Sequence, residues 1–174
     1  MTDRSEVDIR MTAPPALPPE AEHADLRAIH AYWCSKWRDG RMPGRRDIDP
    51  IEIPSLLARL TIYEIERGER LRFRIRLMGS RLVRAAGRDL TGRYLDQELD
   101  PGRYPDIHAQ LEHLVATGEP KYRDDPLSIF GRDHIRLCRL ALPLAGDGAT
   151  IDGFLTLYVE MPWPLDSAKP SRPS

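Results

Sequence analysis

The sequence predicts an α+β domain built on a five-stranded antiparallel sheet. Three observations carry that expectation. The run "LRFRIRLM" at 71–78 alternates with a period of two, as a strand with unlike faces does. Leu26, Ile29, Trp33 and Trp37 fall at i, i+3, i+7 and i+11, which is one stripe of a helix. Turn-forming residues then divide the chain into two strand-like runs, a group of short helical runs and three further strand-like runs.

The tryptophan-bearing helix is expected over about 25–39, with Gly40 ending it. A short helix should follow in "DPIEIPSLL", with Asp49 as N-cap, Pro50 at the first position and Glu52 closing a capping box. Asp47 and Asp49 together suggest a metal or acid/base site, but capping accounts for Asp49 without any such chemistry. "LTIYEIE" at 60–66 is apolar on both parities at its start, the mark of a central strand. A tight "RGER" turn joins it to 71–78, where Leu71, Phe73, Ile75 and Leu77 share one face and Arg72, Arg74 and Arg76 the other. The arginine row reads as a wet strand face that discourages edge pairing, or as an anion-binding stripe.

"SRLVRAAG" forms a short helix with a serine cap and Gly87 as its stop. A long connection, "LTGRYLDQELDP", leads to a helix started by Asp100 and Pro101, with Ile107, Leu111, Leu114 and Val115 as its buried stripe and Gly118 as its end. Three strands are expected near 121–130, 135–145 and 149–160, joined by "GRDH" and "AGDGAT" as hairpin turns. "KYRDDPL" suggests an exposed, irregular start to the first of them, with Pro126 limiting its pairing. Residues 1–24 and 162–174 hold half of the 16 prolines, so the expected domain is 25–161, flanked by a disordered Pro-rich N-terminal tail and a Pro-rich C-terminal tail.

Bulk composition narrows the function. With 26 basic and 27 acidic residues in 174, no net field draws the chain to nucleic acid or anionic lipid. Cys34 and Cys138 are far apart and form no ligand pattern, which fits reduced thiols in the cytoplasm. The first twenty residues lack an apolar signal core, and "LALPLA" is too short to span a bilayer. No nucleophile elbow, phosphate-binding glycine loop or zinc-helix motif is present.

"GRDLTGRYLDQELDPGRYPDIHAQLEHLVATGEP" resembles the central segment of a PAS domain, and "DGFLTLYVE" at 152–160 resembles its last strand. Over roughly 25–160 the chain is similar to a bacterial family of stand-alone, single-domain PAS-like proteins. The similarity rests on "YWCSKWRDGRMPGRRDIDP", "FRIRLMGSRLVRAAGRDLTGR" and "LALPLAGDG" in that order. Ser80 stands where that family carries threonine, and the swap retains a hydroxyl.

The resemblance implies a PAS-like five-stranded antiparallel sheet, in the order β-β-α-α-α-β-β-β, with an N-terminal capping helix. It also implies a non-enzymatic sensory or signalling role. The protein either binds a small molecule between sheet and helices or acts as a protein-interaction adaptor. Candidate cavity residues are Phe73, Ile75, Leu77, Leu82, His108, Leu111 and Val115, with strand faces assigned from parity. Candidate interface residues are Tyr32, Trp33, Trp37, Phe154 and Tyr158, the last two if they point outward. A homodimer, an unidentified signalling protein and a small-molecule ligand are the expected partners; nucleic acid and membrane are not.

Haem and flavin find no support in the motifs. "GRDLTGRYLDQ" lacks the cysteine of a flavin photoreceptor, and His108 and His113, at i and i+5, cannot share a helix face. The cofactor stays unknown. The alternative is a small cone-fold enzyme of isomerase or dehydratase type, using one buried acid/base residue; Asp124, Asp125 and Asp133 lie on or beside strands but are not placed inside by alternation.

Overall fold

The structure is a computed structural model that describes residues 11–127 and 132–162. Its elements run α1 (Ala24–Ser35), β1 (Leu60–Arg67), β2 (Leu71–Met78), α2 (Ser80–Ala86), α3 (Leu95–Glu98), α4 (Tyr104–Thr117), β3 (Lys121–Leu127), β4 (Arg132–Leu144) and β5 (Gly153–Met161). The strands form one antiparallel sheet in the order β2-β1-β5-β4-β3. β1 and β5 therefore occupy interior positions, which explains why both are apolar on both parities.

Helix α1 lies on the outer face of the sheet against β4 and β5. Leu26, Ile29 and Trp33 are fully buried, as the stripe predicts, and the Trp33 indole N–H donates to the Pro143 carbonyl at 2.8 Å. That bond anchors helix to sheet across 110 residues of sequence. The helix stops at Ser35, earlier than Gly40. The chain instead turns at Asp39 and Gly40, closed by the Arg38 and Arg41 bridge, so that Met42 can bond to Gly148. Ahead of α1, Ala21 is buried, Met11 and Leu17 pack against the core, and His30 bonds to the Pro15 carbonyl. Packing thus begins before residue 25.

Local capping departs from the sequence expectations at three places. Pro50–Glu52 is a single 3-10 turn; Asp49 caps it through Ile51 N–H at 2.9 Å, but Glu52 turns to Lys36 and closes no capping box. Pro54 forbids continuation by driving Ile53 out of the helical region. At α2 the N-cap is Gly79, not a serine, because a Cβ there would lie 2.5 Å from the Ala58 and Leu57 carbonyl oxygens. Helix α4 starts at Tyr104, three residues beyond Pro101, since the Asp100 carboxylate is spent on a turn with Gly102 N–H at 2.8 Å.

Strand β3 pairs with β4 from Lys121 onward, and its register shifts only at Pro126 and Leu127. Of the expected "GRDH" turn, Arg132–His134 belong to β4, whereas Gly131 and the Asp133 side chain fall outside the described residues. The "AGDGAT" turn is held by Asp147, whose carboxylate accepts from the N–H groups of Ala149 and Thr150 at 2.8 and 2.7 Å. β5 begins at Gly153, after this turn.

Candidate functional site

The inner face of the sheet is built from alternate residues: Ile65 and Tyr63 on β1, Phe73 and Ile75 on β2, Phe154, Thr156 and Tyr158 on β5, and Arg139 and Ala141 on β4. Aromatic packing fills the β1 and β2 side. Tyr63 stacks on Phe154 with centroids 4.6 Å apart, and Phe73 meets Phe154 edge-on at 5.7 Å. Helices α3 and α4 close over this face through Leu95, Ile107 and Leu111.

Between them remains a cavity of about 40 Å³. Its lining is mixed: Phe154, Leu111 and Ala141 are apolar, whereas Tyr63, Tyr158, Thr156 and Arg139 bring polar groups into the core and Gln110, Lys121 and Arg123 form its mouth. The Tyr63 and Tyr158 hydroxyls bond to each other at 2.8 Å, and Arg139 is 8% exposed. Burial, reinforced by the neighbouring Tyr158, pushes the Tyr63 hydroxyl well above its usual range, so it stays protonated and able to donate at neutral pH. Among the described residues, no aspartate, glutamate or histidine lines it. Ligand pockets for drug-sized molecules span about 300–1,000 Å³, so this one suits something far smaller.

The long connection 88–99 forms a strap over the edge of β2. Backbone bonds join Ile75 N–H to Arg93 O at 2.9 Å and Gly92 N–H to Ile75 O at 2.7 Å. This covers an edge that would otherwise offer free strand hydrogen bonds. Gly92, at φ 88°, makes the turn that brings the two backbones together.

The arginine row serves this strap. Arg72 grips Asp96 through two bonds of 2.9 Å and lies 3.9 Å over the Tyr94 ring, Arg74 donates to Gly92 O at 3.3 Å, and Arg76 sits 3.6 Å from Glu64. Tyr94 in turn donates to Glu66, and Arg88 and Arg93 both hold Glu98. The Arg72 guanidinium draws the Asp96 carboxyl below its usual range. Arg72 and Arg74 thus clamp the strap to the sheet, whereas Arg76 pairs within the sheet.

Of the residues proposed for the cavity, Leu111 lines it; Phe73 and Ile75 are buried on the same sheet face. Leu77 is 36% exposed and pairs with Ile62, on the outer face. The cause is a bulge: the β1 register jumps from Ile62–Leu77 to Tyr63–Ile75, so Arg76 is unpaired and the alternation of β2 reverses. Leu82 is buried but borders a separate cavity of about 270 Å³ with Arg59, Arg81 and Glu160. His108 is packed between Phe73 and Tyr104, and its Nε2 lies 2.9 Å from the Leu71 carbonyl. Val115 is only partly buried against the core.

Of the proposed interface residues, Phe154 and Tyr158 point inward and line the cavity. Trp33 is fully buried beneath α1, and Trp37 meets it edge-on at 5.4 Å. Tyr32 receives the Asp49 N–H at 2.8 Å and carries Lys36 over its ring. The sequence reading missed Tyr63, Gln110, Lys121, Arg123, Arg139 and Thr156. Arg139 and Thr156 did leave a signal, as polar residues interrupting the apolar runs 137–145 and 154–159.

No curated protein matches the chain. Among solved structures it is similar to the Rhodobacter sphaeroides LOV protein, at 13% identity and a TM-score of 0.47 over 68% of this chain and 72% of that one. It is also similar to the PAS domain of Bordetella pertussis BvgS, at 17% identity and a TM-score of 0.45 over 66% and 88% of the two chains. The model of one family, described as a PAS domain, matches residues 21–158, from the segment before α1 to the end of the β5 core. That match covers most of the chain and both layers of its core, and the chain belongs to the PAS domain family.

Proposed function

We propose that this PAS domain is a cytoplasmic, non-enzymatic signalling module that takes a small molecule into the inner-face cavity and conveys its presence to another protein or to a second copy of itself. The observation that carries this reading is a cavity of mainly apolar surface into whose lining Tyr63, Tyr158, Thr156 and Arg139 are nevertheless set. Burying hydroxyls and a guanidinium is costly unless they are partnered; Tyr63 and Tyr158 partner each other, and a fold that needed only a filled core could place aliphatic residues at these positions. Strap 88–99 and α4 border the same space, so occupancy can bias their position by whatever free energy the ligand contributes.

A docking role without a ligand is favoured by one feature, the small volume of about 40 Å³. The lining, free of carboxylates and histidines among the described residues, favours either of these readings over a cone-fold isomerase or dehydratase. Native mass spectrometry of freshly purified protein, before and after denaturation, tests the ligand. Excess mass lost on denaturation supports the sensor. A bare chain that gains no mass when incubated with a cell extract's small-molecule fraction supports the ligand-free adaptor. The same spectra report whether a dimer forms.

A further inference from the structure

We propose that the inner-face cavity takes a small planar oxyanion of the carboxylate type, held by Arg139 with the Thr156 hydroxyl and the one O–H that the Tyr63–Tyr158 pair leaves to donate. This inference rests on the ligand-binding reading above and adds the chemistry of the ligand.

Charge, donor type and volume point the same way. Among the described residues, the lining holds three cationic side chains, Lys121, Arg123 and Arg139, and no carboxylate. Lys121 also meets Glu119 at 3.2 Å and Arg123 meets the Gln110 amide at 3.3 Å, so both are anchored at the mouth. Arg139 sits deeper, 8% exposed, on the strand beside Tyr158. A guanidinium is a planar fork of donors suited to a planar pair of oxygens. Hydroxyls add donors of adjustable direction, and burial keeps the Tyr63 O–H protonated at neutral pH. A cationic ligand would face three like charges.

Size excludes most biological anions. A water needs roughly 10–15 Å³ of such space, so the cavity of about 40 Å³ has room for a group of about three water-sized positions. That admits a carboxylate of two or three carbons, or an inorganic oxyanion of the same shape such as nitrate or bicarbonate. It excludes nucleotides, flavin and haem.

The test is amide chemical-shift titration of the full chain with sodium acetate, sodium nitrate and the neutral isostere acetamide, each against sodium chloride at matched ionic strength. The expected result is a saturable response to acetate at Arg139, Ala141, Thr156 and Tyr158, at least ten-fold weaker for acetamide. Nitrate separates a carboxylate preference from a general planar-oxyanion site; either preference upholds the proposal. Arg139→Met should lose at least ten-fold in acetate affinity. Should that variant not fold, Arg123→Gln at the mouth is expected to weaken acetate two- to five-fold.

Equal responses to acetate and acetamide in the cavity would overturn the anion assignment while keeping the ligand reading. Shifts that scatter over exposed basic residues such as Arg45 and Arg46 without saturating would overturn it as non-specific. Silence toward all three probes would overturn it too, and the ligand reading would then stand or fall on the co-purified mass.

Discussion

Replacing Trp33 by alanine separates two roles for the α1 tryptophan, core anchor and interface hot spot. In the structure its side chain is fully buried, packs edge-on against Trp37 and donates to Pro143 O at 2.8 Å. An aromatic side chain of this kind buries about 150–250 Å². At about 25 cal/mol per Å² that is roughly 4–6 kcal/mol of apolar burial. Most of this is lost on truncation, and measured losses for such changes are about 3–5 kcal/mol because surrounding side chains partly relax. The Pro143 carbonyl also loses a donor, so the upper part of that range is expected. Against a typical total of about 5–15 kcal/mol, Trp33→Ala should leave a marginal fold.

The assay is urea unfolding followed by circular dichroism at several protein concentrations, with Trp33→Phe as the milder companion. An anchor predicts a lowered midpoint at every concentration, and a smaller loss for phenylalanine. An exposed hot spot predicts unchanged monomer stability and a weakened dimer. A loss below about 0.5 kcal/mol, within the scatter of surface substitutions, would refute the assignment of α1 as an intrachain cap.

Other consequences follow from the site. Stability should fall as pH rises above about 10, because burial lifts Tyr63 well above its ordinary 10.0 and Tyr122 to about 12. The folded chain then holds protons that the unfolded chain releases. Tyr63→Phe should flatten that fall in urea midpoints measured from pH 9 to 12, and a pH-independent midpoint would contradict it. Asp96→Asn should loosen the strap, seen as faster hydrogen exchange at the Gly92 and Ile75 amides. Protonating Asp96 should do the same in wild type as pH drops below the usual carboxylate range, since Arg72 lowers its pKa in the folded state; exchange unchanged by the mutation would argue that the backbone bonds alone hold the strap. Gly153→Ala would place a Cβ 2.6 Å from the Tyr63 carbonyl oxygen. A cost of about 1–3 kcal/mol is expected from forcing β1 and β5 apart, and a midpoint equal to wild type would show that the sheet yields freely there.

Local patterns determined much of this protein. The α1 stripe, the two-residue period of β2, the turn at Asp147 and the two strand groups flanking short helices were legible because each depends on neighbours a few residues apart. Charge balance and motif absences limited the functional classes on the same footing. The strap's length was visible in the sequence, as was the arginine row, but not that one clamps the other: Arg72 and Asp96 are 24 residues apart and meet only through the fold.

Tertiary structure alone decided which face of each strand looks inward. Parity groups residues without orienting the group, and the bulge at Arg76 removed Leu77 from the set to which alternation assigned it. Phe154 and Tyr158 were legible as a pair on one face, but only the placement of α1 on the outer side and of α3 and α4 on the inner side turned that pair into a cavity wall. The gathering of polar residues at this mainly apolar cavity had the same origin. Tyr63 and Tyr158, 95 residues apart, become hydrogen-bond partners because β1 and β5 are neighbours in the sheet. No short-range pattern encodes that adjacency.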